Sequence, residues 1–228
     1  MKNVRLEQIT KCGVGVGVMA VSLLVAAPGR AEVRVGGVGG GNLASLATDS
    51  TDVKLGTLKR WSVGGELELD LSRSFALVAR PAYVGRGTDI KSMPGVGDVS
   101  SHGAGSYART EFGYIEVPLL LKYTLPIQGV RPYLIAGPSL GLLRKAEGVS
   151  KFGNAAEVRD DIKKDFESTD ISLNAGAGVG TNVGQAYIFA EGLYGYGLTN
   201  INKDVTEPAG RNRGLQFRAG ITLRLGGK

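Results

Sequence analysis

The sequence predicts an all-β protein, a single eight-stranded antiparallel up-and-down transmembrane β-barrel. Three observations carry this. From Leu215 to Leu225 every odd position is apolar, while Gln216, Arg218, Gly220, Thr222 and Arg224 fill the even ones, the period of a strand with one oily and one polar face. The same alternation runs from Trp61 to Leu71 and from Ile115 to Leu125, and each run has the roughly eleven residues that a tilted strand needs to cross a bilayer. Finally, the chain opens on an export signal, and open sheet edges cannot persist in hydrocarbon, so strands of this kind imply a closed barrel in a bacterial outer membrane.

The export signal covers 1–31, leaving 32–228 as the barrel domain. Lys2, Arg5 and Lys11 form a basic start, Gly13 to Ala27 is apolar, and Gly29-Arg30-Ala31 offers a small-x-small cleavage site. Cleavage there leaves 23 basic and 20 acidic side chains, a balance of +3 in place of the +6 of the whole chain. Most of the support for a basic surface made for nucleic acid disappears with it. The one cysteine, Cys12, leaves with the signal, so the mature chain forms no internal disulfide.

Eight strands follow in order. The first, 33–45, reads V-R-V-G-G-V-G-G-G-N-L-A-S and alternates poorly because glycine fills it. The second, 60–72, sets Glu66, Glu68 and Asp70 between apolar residues. The third, 75–88, carries Phe75 and Tyr83 on one face and Arg80 and Arg86 on the other. The fourth, 112–125, holds Glu116 and Lys122 within an otherwise apolar run, and the fifth, 130–144, begins at Arg131. The sixth and seventh, 170–183 and 186–201, flank Gly184-Gln185, and Glu191 shares the seventh with Tyr194 and Tyr196. The eighth, 213–226, is the alternating run that ends the chain. Connections alternate in length: Ser72-Arg73-Ser74, Pro126 to Gly129 and Gly184-Gln185 are short, whereas 46–59, 89–111, 145–169 and 202–212 are long and polar. Short periplasmic turns and long outer loops are the construction of outer-membrane barrels.

Alternation alone leaves the sidedness open, since a soluble lipocalin-like barrel carries the opposite assignment. The aromatic residues favour a membrane. Phe75 and Tyr123 fall near the periplasmic ends, and Trp61, Tyr83, Tyr194, Tyr196 and Phe217 near the outer ends, as two interfacial belts. The polar face then lines the lumen. It carries Glu66, Glu68, Asp70, Glu116 and Glu191 against Arg80, Arg86, Lys122, Arg131, Arg218 and Arg224. Centring the first short turn on Arg73 sets Glu66 opposite Arg80, and a hairpin centred near residue 207 sets Glu191 opposite Arg224. These charges form either a constriction that selects solutes or a plug of ion pairs. The narrow interior of an eight-stranded barrel favours the plug.

Y-I-E-V-P-L-L-L-K-Y (Tyr114 to Tyr123), R-P-Y-L-I-A-G-P-S-L-G (Arg131 to Gly141), D-I-S-L-N-A-G-A-G-V-G (Asp170 to Gly180) and the last strand resemble successive signatures of the outer membrane protein β-barrel family, whose members include porin family proteins and PorT-like small barrels. The resemblance covers nearly all of 32–228. It implies a small outer-membrane barrel whose partners are outer-membrane lipids and the barrel assembly machinery. The label "porin" implies no conduction by itself. The chain ends Leu225-Gly226-Gly227-Lys228, where bacterial barrels commonly carry an aromatic residue.

Chemistry beyond the membrane has little to stand on. His102 is the single histidine, which excludes multi-histidine metal sites and confines any nucleophilic triad to D-V-S-S-H, Asp98 to His102. The glycine runs at Gly37 to Gly41 and Gly176 to Gly180 lack the helix and Gly-Lys-Ser/Thr of a phosphate loop. Glu157, Asp160, Asp161, Asp165 and Glu167 lack EF-hand spacing and are interleaved with Arg159, Lys163 and Lys164. The expectation is a non-enzymatic outer-membrane protein without cofactor or metal, whose loops serve binding of an extracellular or envelope protein, or envelope support. The alternatives are a narrow solute channel and a lipid-modifying enzyme.

Overall fold

The computed structural model describes residues 32–50, 52–127, 129–204 and 208–225. The predicted signal, 1–31, lies outside the described residues. Eight long strands form the wall: β1 (Val33–Thr48), β2 (Leu58–Asp70), β3 (Phe75–Ala79 and Ala82–Met93), β4 (Tyr107–Thr124), β5 (Arg131–Lys151), β6 (Thr169–Val183), β7 (Ala186–Gly197) and β8 (Gly210–Leu225). Each pairs antiparallel with its neighbours in sequence, and β1 pairs with β8 from Val33↔Leu225 to Thr48↔Gly210, so the sheet closes on itself without an edge.

All eight predicted strands are present, with some ends moved. β4 begins five residues earlier than the alternation indicates, at Tyr107, and β5 runs on to Lys151. The two continue as a ribbon beyond the membrane zone, joined by the short strand Val158–Asp161. The seventh strand stops at Gly197 rather than at 201, because Ile201 turns inward to a buried position.

Local chemistry explains the interruptions. Pro81 has no N–H to donate and divides β3, leaving its carbonyl to accept from Gly65 at 2.9 Å. At the two-residue turn between β6 and β7, the first position has φ 62, which Gly184 adopts without steric cost. Tight curvature also demands missing side chains. A Cβ at Gly36 or Gly40 would come within 1.9 Å of a carbonyl oxygen of β8.

The period of two sets the faces. Trp61, Val63, Leu119, Phe217 and Leu223 are exposed on the outside, whereas Glu66, Glu68, Arg80, Arg86, Glu116 and Lys122 are buried within. Leu69 is on the outward register beside Val33 and Leu77, yet is only 7 % exposed. Phe75 packs on Tyr123 with ring centroids 5.0 Å apart near the short turns, and Trp61 on Tyr83 at 5.3 Å near the long loops. Tyr194, Tyr196 and Phe217 are exposed on the same outward surface.

Candidate functional site: a charged and capped lumen

The lumen is filled in layers. At the short-turn end lies a polar vestibule of about 370 Å³, where Lys122 Nζ donates to Glu68 at 2.8 Å and Arg34 bridges Glu68 and Asp70 at 3.2 Å each. Arg34 and Lys122 also stand over the ring of Tyr187. Asp70 and Arg131 line this vestibule half-buried, and Arg224 is exposed at its rim, paired with Glu32.

Above the vestibule an apolar ring is built from Val38, Val78, Leu120, Ile135, Phe189 and Leu193, with Tyr133 and Tyr187 packed among them. Tyr133 donates from this ring to Glu191 Oε2 at 2.8 Å. The next layer centres on Arg80. Its Nε lies 2.6 Å from Glu66 Oε2 on the adjoining β2, and its Nη1 reaches across the lumen to Glu191 on β7. All three side chains are at most 1 % exposed. Charges removed from water so completely require this pairing, because an isolated one costs several kcal/mol.

Nearer the loops, Arg86 Nε donates to Glu116, and Arg218 donates to Gln216. Gly195 leaves room for these polar tips, since a Cβ there would meet Asn174 Oδ1 at 3.1 Å, Gln216 Nε2 at 3.6 Å and Arg86 Nη1 at 3.8 Å. Asp170 accepts from Thr199 at 2.7 Å and from Asn212 at 3.0 Å.

An apolar cap finishes the stack. Phe112, Tyr114, Leu143, Ala146 and Ile201 form one buried cluster, with Leu46, Ile162 and Phe166 packed against it. Phe166 meets Phe112 edge-on at 4.8 Å. Ile162, Phe166 and Ile201 come from the last two long connections, which therefore fold inward over the mouth. Above the cap, Glu111 accepts Arg60 at 2.9 Å and Arg109 at 2.7 Å.

One expected register fails. Glu191 stands across from Arg218, not Arg224, because the β7–β8 hairpin turns earlier than a centre at 207 requires. Nor do Asp70, Arg131 and Arg224 belong to the enclosed stack, since their strands reach the vestibule before these positions. The other charges, Glu66, Glu68, Arg80, Arg86, Glu116, Lys122, Glu191 and Arg218, are all buried inside. Sequence reasoning missed Arg34, Tyr133, Tyr187, Phe189 and the whole cap. The parity of Tyr187 and Phe189 with Glu191 is the signal that places them inward.

The D-V-S-S-H segment forms a capped turn. The Asp98 carboxylate accepts from the backbone N–H of Ser100 at 2.8 Å and from its hydroxyl at 2.7 Å, which lowers its pKa. His102 Nδ1 lies 3.1 Å from the carbonyl oxygen of Asp98, not from its carboxylate. The acidic loop residues are likewise engaged locally, Glu157 by Arg159 at 2.7 Å and Asp161 by the Lys163 N–H at 2.9 Å. Among the described residues no group of three His, Cys, Asp or Glu side chains is arranged to hold a metal ion.

The closed antiparallel wall with its short and long connections agrees with comparison to known families, in which the outer membrane protein beta-barrel domain matches residues 26–203. The chain belongs to that family. It is a barrel of the bacterial outer membrane. Among solved structures, this family member is similar to Neisserial surface protein A, with 15 % identity, 86 % of this chain and 97 % of that one covered, and a TM-score of 0.45. It is also similar to OprG from Pseudomonas aeruginosa, with 12 % identity, coverage of 86 % and 96 %, and a TM-score of 0.46. Ail of Yersinia pestis, solved with a heparin analogue, gives 15 % identity, coverage of 85 % and 99 %, and a TM-score of 0.42. No curated protein sequence matches the chain.

Proposed function

We propose that this outer-membrane barrel is a closed, non-enzymatic anchor that holds its four outer connections toward the exterior for binding or envelope support. The observation that carries the reading is Arg80, which stretches from Glu66 to Glu191 across the lumen with no appreciable exposure. An ion moving past it has to displace a buried, paired guanidinium and then the apolar cap around Phe112 and Ile201. The rigid part of the molecule is the wall and its filling, while the variable chemistry sits on the loops. An extracellular or envelope protein is the partner that such loops suit. The engagement of the Asp98 carboxylate by Ser100 supports the non-enzymatic part of the reading, since the carboxylate does not orient His102.

Purified protein in planar bilayers tests the closure. The expected result is no stable single-channel step above that of a known closed barrel, together with no entry of small sugars into proteoliposomes. Regular conductance steps that persist after the outer loops are trimmed would replace this reading with that of a narrow channel.

A further inference from the structure

We propose that the outward surface where β8, β1 and β2 run side by side binds a phosphorylated lipid of the outer leaflet, with Arg213 and Lys59 as the groups that take its phosphate oxygens. The register places them. Ser45 on β1 stands beside Arg213 on one side, and Leu43 stands beside Lys59 on the other. Arg213 shares the outward parity of Phe217, and Lys59 that of Trp61, so both cations follow directly on the apolar band at the loop side. Two strand spacings of about 4.8 Å separate them laterally and two residues of rise, about 7 Å, separate them along the strands, a gap that a headgroup with two phosphates spans.

Neither cation is neutralised by a carboxylate among the described residues. The neighbouring Arg211 pairs with Asp49 at 3.8 Å, but Arg213 and Lys59 make no ion pair among the described residues. Arg213 is held flat, its guanidinium carbon 4.7 Å from the centre of the Tyr196 ring and its Nη2 3.5 Å from the hydroxyl. Its Nε is buried, with no hydrogen-bond partner among the described residues, so a phosphate can reach only the two Nη nitrogens. An arginine fixed on an aromatic face gives up little further freedom when it binds a phosphate, and at the membrane interface its charge is less screened than in water.

The surface beneath the cations selects a lipid over a soluble anion. Following β1 into the membrane, the outward positions are Gly41, Gly39 and Gly37, bordered by the exposed rings of Phe217 and Trp61. A Cβ at Gly41 would touch nothing within 4 Å. The strand thus forms the floor of a shallow furrow in which an acyl chain can run below its own phosphate. An anionic headgroup over Arg213 and Lys59 and a chain along β1 use both features at once.

Native mass spectrometry of the full barrel in detergent provides the test, with three probes: a bisphosphorylated, multiply acylated glucosamine disaccharide, the same lipid with its phosphates removed, and inorganic phosphate. The wild type is expected to retain the phosphorylated lipid. Lys59→Gln/Arg213→Gln should weaken retention by about tenfold or more, the scale of losing charged hydrogen bonds. Arg73→Gln, an exposed cation on the turn at the opposite end, should change nothing. Lys59 is exposed and Arg213 half-buried, and heat-modifiable migration in gels verifies that each variant is folded. Equal retention by the double variant, equal retention of the dephosphorylated lipid, or displacement of the lipid by inorganic phosphate at matched concentration would each overturn the proposal.

Discussion

Arg80, at the break in β3, and Glu66 on β2 meet in the lumen with Nε 2.6 Å from Oε2, and the same guanidinium also holds Glu191 on β7. The group is therefore one cation between two carboxylates, and its members are unequal. Removing Arg80 strands two buried charges, whereas removing Glu66 leaves the Arg80–Glu191 pair intact. Arg80→Leu is expected to destabilise the barrel by about 3–5 kcal/mol, and Glu66→Gln by less, about 1–3 kcal/mol from an imperfectly satisfied buried amide. Urea unfolding from lipid vesicles measures both. A triple variant, Glu66→Gln/Arg80→Leu/Glu191→Gln, should recover part of the Arg80→Leu loss because no unpaired charge remains. Equal costs for the two single substitutions would contradict the unequal roles.

Leu119 sits on the lipid face at 47 % exposure, directly across from Ala79, while Glu116 on the same strand is buried and paired with Arg86. Arginine on the lipid face at the bilayer midplane costs about 2–4 kcal/mol, falling toward the interfaces. Leu119→Arg should lower the yield of membrane-folded barrel, and Leu223→Arg, closer to a strand end, should lower it less. Folding yields from gel shifts in vesicles provide the comparison. A Leu119→Arg variant that folds as well as wild type would place that face away from lipid.

What was legible in the sequence depended on how far each register was constrained. The turn at Ser72-Arg73-Ser74 is short, so its centre fixes the pairing of β2 with β3, and Leu67↔Ala79 and Ser62↔Val84 follow the same centre as Glu66 and Arg80. The connection from β7 to β8 is long, and its centre is free to move. The resulting pairing is Glu191↔Arg218 instead of Glu191↔Arg224. Face assignment by polarity also has a blind spot. Tyr133, Tyr187 and Phe189 are apolar enough to read as lipid-facing, yet their positions turn them into the lumen, where cations stand over Tyr187 and Phe189. The cap was invisible because Phe166 and Ile201 have no period to reveal them, and only the return of the loops over the mouth brings them to Phe112.

Ile201 is fully buried in that cap although it belongs to a loop. Its backbone N–H donates to Gly210 at 2.9 Å, and its carbonyl accepts from Glu167 at 2.7 Å, so it ties the last two long connections together. Ile201→Ala is expected to cost the cap about 2–5 kcal/mol, the range for emptying a packed aliphatic site. The loss should be local: faster amide exchange in 162–168 and 198–202, with the wall unchanged. Bilayer recordings of this variant should stay silent, because the Arg80 layer lies below the cap and is untouched.

The outer ribbon should loosen only in acid below the usual carboxylate range. Outside the membrane-spanning part, Glu157 accepts from Tyr107 and from Arg159, and both interactions lower its pKa. Glu147 is lowered first by Lys145, at 2.8 Å, and further by Arg159 at 3.2 Å. A carboxylate with a depressed folded-state pKa adds stability that is present above its ordinary value and is lost as pH falls through the folded value. The strand Val158–Asp161 should therefore stay docked on β5 at neutral pH and loosen only as the pH falls below the usual carboxylate range. Carboxyl-carbon NMR titration of Glu147 and Glu157, with amide exchange across 147–161, follows both events. Because the network is exposed, its loss should leave the barrel folded. Arg159→Gln should raise both midpoints toward ordinary glutamate values. If instead both residues already titrate at those values in the wild type, or the strand stays protected after both are protonated, the ion network does not hold the ribbon.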